Sequence, residues 1–202
     1  MAVRAYGGAG RPSIVLEYRV MAVIRIGLSG KMLSGKSLVA QYLVDCHGFT
    51  MLSFAARLKE LAAELFSPRQ EKDRFLLQQL GEHLRAFDAT VWLRYLVERI
   101  PHDRDVVVAD VRYPNEYSTL KRLGFVMVRM VTDRAWQIKA MKEFYPDMPP
   151  VLLDDITETL LDDHKFDHYI DNREVTPLEQ VYAQVETLMT CLKGDARERQ
   201  AT

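Results

Sequence analysis

A chain of 202 residues with 48% hydrophobic and 27% charged side chains has the make-up of one ordinary globular domain with a core to bury. A formal net charge of −1 leaves no global electrostatic case for a nucleic-acid polymer or a membrane surface, so an anion site has to be a local cluster of lysines and arginines. Two cysteines, Cys46 and Cys191, stand in no metal or redox spacing and fit packing roles in a reducing cytoplasm, and no apolar run reaches the roughly 20 residues that span a bilayer.

Residues 1–20 carry Gly7-Gly8-Ala9-Gly10-Arg11-Pro12 and no apolar core of signal-peptide type, so they read as a flexible lead. Met21-Ala22-Val23 repeats Met1-Ala2-Val3, which fits a natural start at Met21, whereas residues 13–18 as an edge strand are the alternative. One domain is expected over residues 21–193, followed by a polar, frayed tail over 194–202.

An apolar strand over residues 22–27 leads into Gly30-Lys31-Met32-Leu33-Ser34-Gly35-Lys36-Ser37, and helical spacing follows through Leu43. This is the pattern G-x-x-x-x-G-K-[ST] in its required strand-to-helix setting, which makes it a phosphate site. Gly30 and Gly35 allow turns in which successive N–H groups converge on phosphate oxygens, and the helix start adds its partial positive charge. Lys36 supplies a mobile charge for the β- and γ-phosphates, the Ser37 hydroxyl suits Mg²⁺, and Lys31 is a second cation. Gly30, Lys31, Ser34, Gly35, Lys36, Ser37 and Leu38 thus form the expected donor site for ATP.

His47-Gly48 ends the first helix, and residues 49–54 read as a second strand. Helices follow over 55–66, with Leu58, Leu61, Ala62 and Leu65 on one face, over 72–87, and over 89–100 with Asp88 as cap. Val106-Val107-Val108-Ala109-Asp110 is a buried strand ending in an acid, and in a doubly wound sheet that acid lies at the edge where ligands bind. Arg112-Tyr113-Pro114-Asn115-Glu116 puts a cation and polar groups at the same edge, with Pro114 opening a helix that ends near Gly124. A fourth strand over 125–130, a helix over 135–144, a break over 145–150, a last strand over 166–172 and a final helix opened by Thr176-Pro177-Leu178-Glu179 complete the chain. His164 and His168 are spaced by four, but the second lies in the predicted strand, where that spacing makes no two-ligand clamp.

At this point the sequence resembles the phage-type deoxynucleoside monophosphate kinases. The likeness rests on the phosphate loop, on Ser53-Phe54-Ala55-Ala56-Arg57-Leu58-Lys59-Glu60, on Leu76-Leu77-Gln78-Gln79-Leu80-Gly81 with Arg85 and Trp92, on Asp110-Val111-Arg112-Tyr113-Pro114-Asn115-Glu116, and on Thr157-Glu158-Thr159 through Asp162-Asp163 to Ile170-Asp171-Asn172. It implies a three-layer α/β P-loop fold, a five-stranded parallel sheet with helices on both faces, a helical acceptor-binding insert and a small lid. It further implies ATP and Mg²⁺ as cofactors, and transfer to a nucleoside monophosphate in the cytoplasm. A homodimer is left open. The chain departs from the family at Asp155-Ile156-Thr157-Glu158, where members often have His-x-Ser-Glu, at Arg57, where Pro is common, and at Arg173-Glu174, where Gly follows the Asn.

Each role has a plainer alternative. Asp110 orders Mg²⁺ waters or accepts the acceptor's proton, or else caps a turn. Arg112 forks onto the acceptor phosphate, or else pairs with Asp110 or Glu116. Arg57, Lys59 and Arg85 complete the acceptor's anion pocket, or are solvated helix charges. Gln79, Asn115 and Glu116 bind the acceptor, and Trp92 stacks on its base or belongs to the core. Of Arg129 and Arg134, the second lies beyond the strand and is the favoured lid arginine; Asn172 serves the nucleotide. A kinase of another phosphorylated small molecule, of dephospho-coenzyme A type or a phosphometabolite, and a non-catalytic nucleotide-binding module are the competing readings.

Overall fold

The computed structural model describes residues 23–66, 74–146, 153–154, 156–173 and 176–201. The N-terminal lead, the start at Met21, the strand over 13–18 and the departure at Asp155 lie outside the described residues.

Strands β1 (Arg25–Gly30), β2 (Thr50–Leu52), β3 (Val106–Val111), β4 (Val126–Val131) and β5 (His168–Asp171) form one five-stranded sheet in the order β2-β3-β1-β4-β5. All four pairings are parallel. A parallel sheet buries both faces, which is why β3 opens as a continuous run of valines and the middle four residues of β1 are all buried. Ile26, Leu28, Val107, Val128, Met130 and Ile170 pack on helices α1 (Lys36–His47) and α7 (Leu178–Ala201). Val106, Val108, Val111 and Met127 pack on the opposite side, against α2 (Ala56–Phe66), α4 (Val91–Val97) and α5 (Pro114–Arg122), while Leu77, Leu80 and Leu84 of α3 (Arg74–Phe87) close over that core. The three layers are those of an α/β P-loop fold. The chain runs from β1 outward to β2 and returns to β3, then crosses to β4, so a crevice opens at the carboxyl ends of β1 and β3.

The β1–β3 register is irregular: Gly27 pairs with Val108 but Ser29 with Val111, so β3 carries one extra residue there. Val108 and Val111 consequently face the same core despite an odd separation, and Asp110 is turned to the sheet edge.

Several expectations need correction. The first strand is Arg25–Gly30 rather than 22–27, running straight into the loop. Helix α4 is shorter than 89–100, and its cap is Thr90 rather than Asp88. The Asp88 carboxylate instead accepts from the Thr90 N–H at 2.8 Å and the Thr90 hydroxyl at 2.7 Å, holding a turn before the helix. At the other end Arg99 and Ile100 bond three residues back, which closes α4 early. Both cysteines are exposed rather than packed, since they fall on the outward arcs of α1 and α7. Leu65 is also exposed, because α2 buries only Leu58 and Ala62. Helix α7 runs on past Gly194 to Ala201, where a frayed tail was expected. Good helix formers after Gly194 outweigh the roughly 1 kcal/mol that a single glycine costs.

Leu28 is fully buried at the centre of the sheet. Leu28→Ala is expected to lower stability by about 2–5 kcal/mol, read from the urea midpoint at unchanged slope.

Candidate active site

The phosphate loop is shaped from outside by side chains that take its carbonyl groups. Gln137 Nε2 donates to Met32 O at 2.8 Å, Trp136 Nε1 to Leu33 O at 3.2 Å, and Asn172 Nδ2 to Ser34 O at 3.1 Å. Lys36 Nζ donates to Gly30 O and Lys31 O, both at 2.7 Å. The donors come from α1, from α6 (Arg134–Phe144) and from the residue after β5, so the loop depends on elements far apart in sequence. Gly35 has φ 90°, and a Cβ there would sit 2.5 Å from Asn172 Nδ2, so both backbone conformation and space demand glycine. Helix α6 reaches the loop because Asp133 caps it, its carboxylate accepting from the Trp136 N–H at 2.7 Å.

Acids and cations alternate around this loop. Arg112 follows β3, and its Nη1 lies 2.6 Å from Glu158 Oε1; the other Glu158 oxygen accepts the Met32 N–H of the loop. Arg129 on β4 pairs with Asp162 and donates to Ser29 Oγ at 3.1 Å, and Lys31 lies 3.7 Å from the same Asp162. Lys36 is almost wholly buried, and burial pushes its ammonium down to about 7; Arg112 and Arg129 push the same way, while Glu158 and Asp110 oppose them. The site is rich in positive charge and its lysine lacks solvent.

Asp110 accepts from Ser53 Oγ at 2.7 Å, the Phe54 N–H at 2.9 Å and the Ala55 N–H at 3.1 Å. Its carboxylate therefore caps the segment that opens α2, the plainer of the two roles expected of it. Glu116 is buried and accepts from the N–H groups of Arg112 at 2.9 Å and Tyr113 at 3.1 Å. It is a cap for α5, with the Arg85 guanidinium 3.5 Å away and 4.1 Å from the Tyr113 ring centre. Burial raises the Glu116 carboxyl to about 7, against the opposing pull of its backbone donors.

The remaining candidates divide clearly. Arg112, Arg129, Lys31, Lys36, Asp110 and Asn172 are brought together, and Ser37 and Leu38 are exposed at the start of α1. Arg112 pairs with Glu158, not with Asp110 or Glu116. Arg57 pairs along its own helix with Glu60 at 3.0 Å and Glu64 at 3.1 Å. Lys59 is exposed and forms no ion pair among the described residues. Gln79 is half-buried on α3, its carbonyl accepting from His83 at 2.7 Å. Asn115 donates to Ala89 O at 3.0 Å, tying α5 to the turn before α4. Trp92 is only 3% exposed and belongs to the core with Phe54 and Leu58, which corrects the stacking role. Arg134 opens α6 and pairs with Asp154 at 2.9 Å. His164 lies edge-on to Tyr117, and His168 opens β5.

Sequence reasoning missed Glu158, Asp162, Trp136 and Gln137 as shapers of the site. Two signals were present: Glu158 and Asp162 lie in the run over residues 157–163 that carries the resemblance, and Gln137 shares the buried face of α6 with Ala140 and Met141, a polar residue in an apolar stripe. Among the described residues no group of three or more His, Cys, Asp and Glu gathers as a metal site. The donor set suits Mg²⁺ held by the exposed Ser37 hydroxyl, by nucleotide phosphate and by water, and Asp110, with three hydrogen bonds already accepted, keeps one acceptor site free.

No protein-family model matches the chain. A protein of Acanthamoeba polyphaga mimivirus, provisionally named a deoxynucleotide monophosphate kinase, is 29% identical over an alignment covering 54% of this chain and 74% of that protein. A gluconokinase from Sinorhizobium meliloti 1021 superposes with a TM-score of 0.55 at 19% identity, covering 88% of this chain and 99% of its own. A shikimate kinase from Bacteroides thetaiotaomicron gives 0.53 at 14% identity, covering 84% and 98%. The fold is that of the P-loop kinases, and the likeness in sequence agrees with the resemblance read from the motifs.

Two outcomes are expected. Gly35→Ala should weaken ATP binding at least tenfold by calorimetry, since its Cβ displaces Asn172. Glu116 has a folded pKa of about 7, above its unfolded value near 4.5, so its contribution to stability is full below about 4.5 and is lost as pH rises through about 7. Glu116→Gln, which keeps an oxygen acceptor, should flatten that part of the stability–pH curve by on the order of 3 kcal/mol in urea titrations.

Proposed function

We propose that the protein transfers the γ-phosphoryl of ATP, with Mg²⁺, to the phosphate of a deoxynucleoside or ribonucleoside monophosphate, giving the diphosphate. The observation that carries this reading is the position of Arg112. Its guanidinium, one-third exposed, stands at the carboxyl edge of β3 close enough to Lys36 to depress that ammonium, so a donor-loop cation and an acceptor-side fork share one crevice. The acceptor named for the viral relative, a deoxynucleotide monophosphate, carries a phosphate that such a fork suits.

The loop N–H groups and Lys36 hold the β- and γ-phosphates of the donor, and their negative charge restores the proton that burial draws from Lys36. Arg112 offers the free part of its fork to the acceptor phosphate, placing an oxygen in line with the γ-phosphorus. Ser37 would hold Mg²⁺, which would supply charge neutralisation to the donor phosphates. Asp110 orients a water toward that site, and Arg85 on the Tyr113 face extends the acceptor side. Arg129, at 12% side-chain exposure and beside the loop, takes the place first assigned to Arg134, which opens α6 and pairs with Asp154. Gln79 and Lys59 lie on α3 and α2, the helices that would receive the nucleoside.

A kinase of another phosphorylated small molecule shares the donor half of this site and the Arg112 fork. A nucleotide-binding module without turnover needs no acceptor-side arginine.

A coupled ADP-release screen across nucleoside monophosphates separates these readings, and no acceptor-dependent ADP release from any of them would end the proposal. Lys36→Ala should keep the fold and reduce turnover by orders of magnitude. Arg112→Lys keeps charge but loses two-pronged geometry, so acceptor kcat/KM should fall by about 2–4 kcal/mol, roughly thirty- to a thousand-fold, with ATP affinity nearly unchanged by calorimetry.

A further inference from the structure

Glu158 is 5% exposed, on the tight helical turn Ile156–Glu158 that faces the phosphate loop. A buried carboxylate persists as an anion only where its oxygens are partnered. Here the partners belong to two different parts of the site: Oε1 takes Arg112 Nη1 at 2.6 Å, and Oε2 takes the backbone N–H of Met32 in the phosphate loop. One rigid group thus spans the donor loop and the acceptor-side arginine.

Arg112 is otherwise a long, rotamer-rich side chain with one-third of its surface exposed. A guanidinium has five N–H donors, and Glu158 uses one nitrogen of the fork, leaving the others for an incoming anion. We propose that Glu158 is a positioning residue that yokes Arg112 to the phosphate loop and so sets the spacing between donor and acceptor phosphates; this rests on the proposed transfer between two phosphates. The tie works on geometry. It holds the guanidinium in one rotamer before substrate arrives, and phosphoryl transfer is sensitive to misplacements of an ångström. Because the anchor is a backbone N–H of the loop itself, Arg112 follows any shift of the donor cradle. Asp162, on the same segment, pairs with Lys31 and Arg129 but is far more exposed.

The test uses the full chain in four forms: wild type, Glu158→Gln, Arg112→Lys and the double variant, with Glu158→Asp as a fifth. Wild-type transfer across the nucleoside monophosphate panel is scored first, and its absence there fails the proposed acceptor without touching Glu158. The Glu158–Arg112 coupling is scored separately by a urea-unfolding double-mutant cycle, and a coupling of zero overturns the inference whatever the acceptor. With an active acceptor, Glu158→Gln should lower acceptor kcat/KM ten- to a hundredfold while the ATP dissociation constant moves less than threefold. Glu158→Asp, charged but one methylene shorter, should recover little of the loss because it cannot span both partners. The double variant should be no worse than Arg112→Lys alone. Additive losses, or a lower melting temperature with unchanged kcat/KM on fully folded protein, would reduce Glu158 to a structural ion pair. Tighter ATP binding by Glu158→Gln would make it a strap that competes with phosphate, and would also overturn the proposal.

Discussion

The outward tethering of the phosphate-loop carbonyls is the constraint on which the site depends. A loop of this length can present its N–H groups inward only if its C=O groups have partners elsewhere, since a buried, unpaired carbonyl is costly. Lys36 takes those of Gly30 and Lys31, Gln137 that of Met32, Trp136 that of Leu33 and Asn172 that of Ser34. Three of these donors lie more than a hundred residues away along the chain, so the anion cradle exists only when β4, α6 and β5 are in place. The fold is the means by which a flexible, glycine-bearing turn acquires a fixed shape.

The second organising feature is charge balance. Lys31, Lys36, Arg112 and Arg129 converge at one edge, where their mutual repulsion would be severe if the protein supplied no anions. Glu158 and Asp162, four residues apart on one segment, neutralise three of them. Asp110 acts at longer range on Lys36 while its oxygens hold the start of α2. Burial nevertheless dominates at Lys36 and holds its ammonium near 7, so the site favours an arriving polyanion.

The extra residue in β3 links core to chemistry. It lets Val108 and Val111 share one hydrophobic face while Asp110, between them, reaches across to the Ser53–Ala55 turn. Immediately beyond, Glu116 folds back on the N–H groups of Arg112 and Tyr113, fixing the backbone from which the Arg112 side chain projects. The burial that keeps Glu116 in that role also makes it titrate far above an ordinary carboxyl.

The sequence by itself determined what is local. The loop glycines, Lys36 and Ser37 announce a phosphate site because close backbone approach and a charged helix start need those residue types in that order. The apolar valine run of β3 and the Pro114 start of α5 were legible for the same reason, as period and cap chemistry are encoded within a few residues. The tertiary structure alone decided which charges meet. Arg57 meets Glu60 and Glu64 within its own helix, a local pairing, whereas Arg112 had Asp110, Glu116 and Glu158 as possible partners and only the fold set it on the last. Trp92 could stack or pack, and the docking of α4 against Phe54 and Leu58 buried it. Glu158 stood out only as part of the Thr157-Glu158-Thr159 motif and with no role attached, because its meaning comes from two partners 46 and 126 residues distant. Side chains of that kind are interpreted by the fold, since a carboxylate's role depends on which donors the chain brings to it.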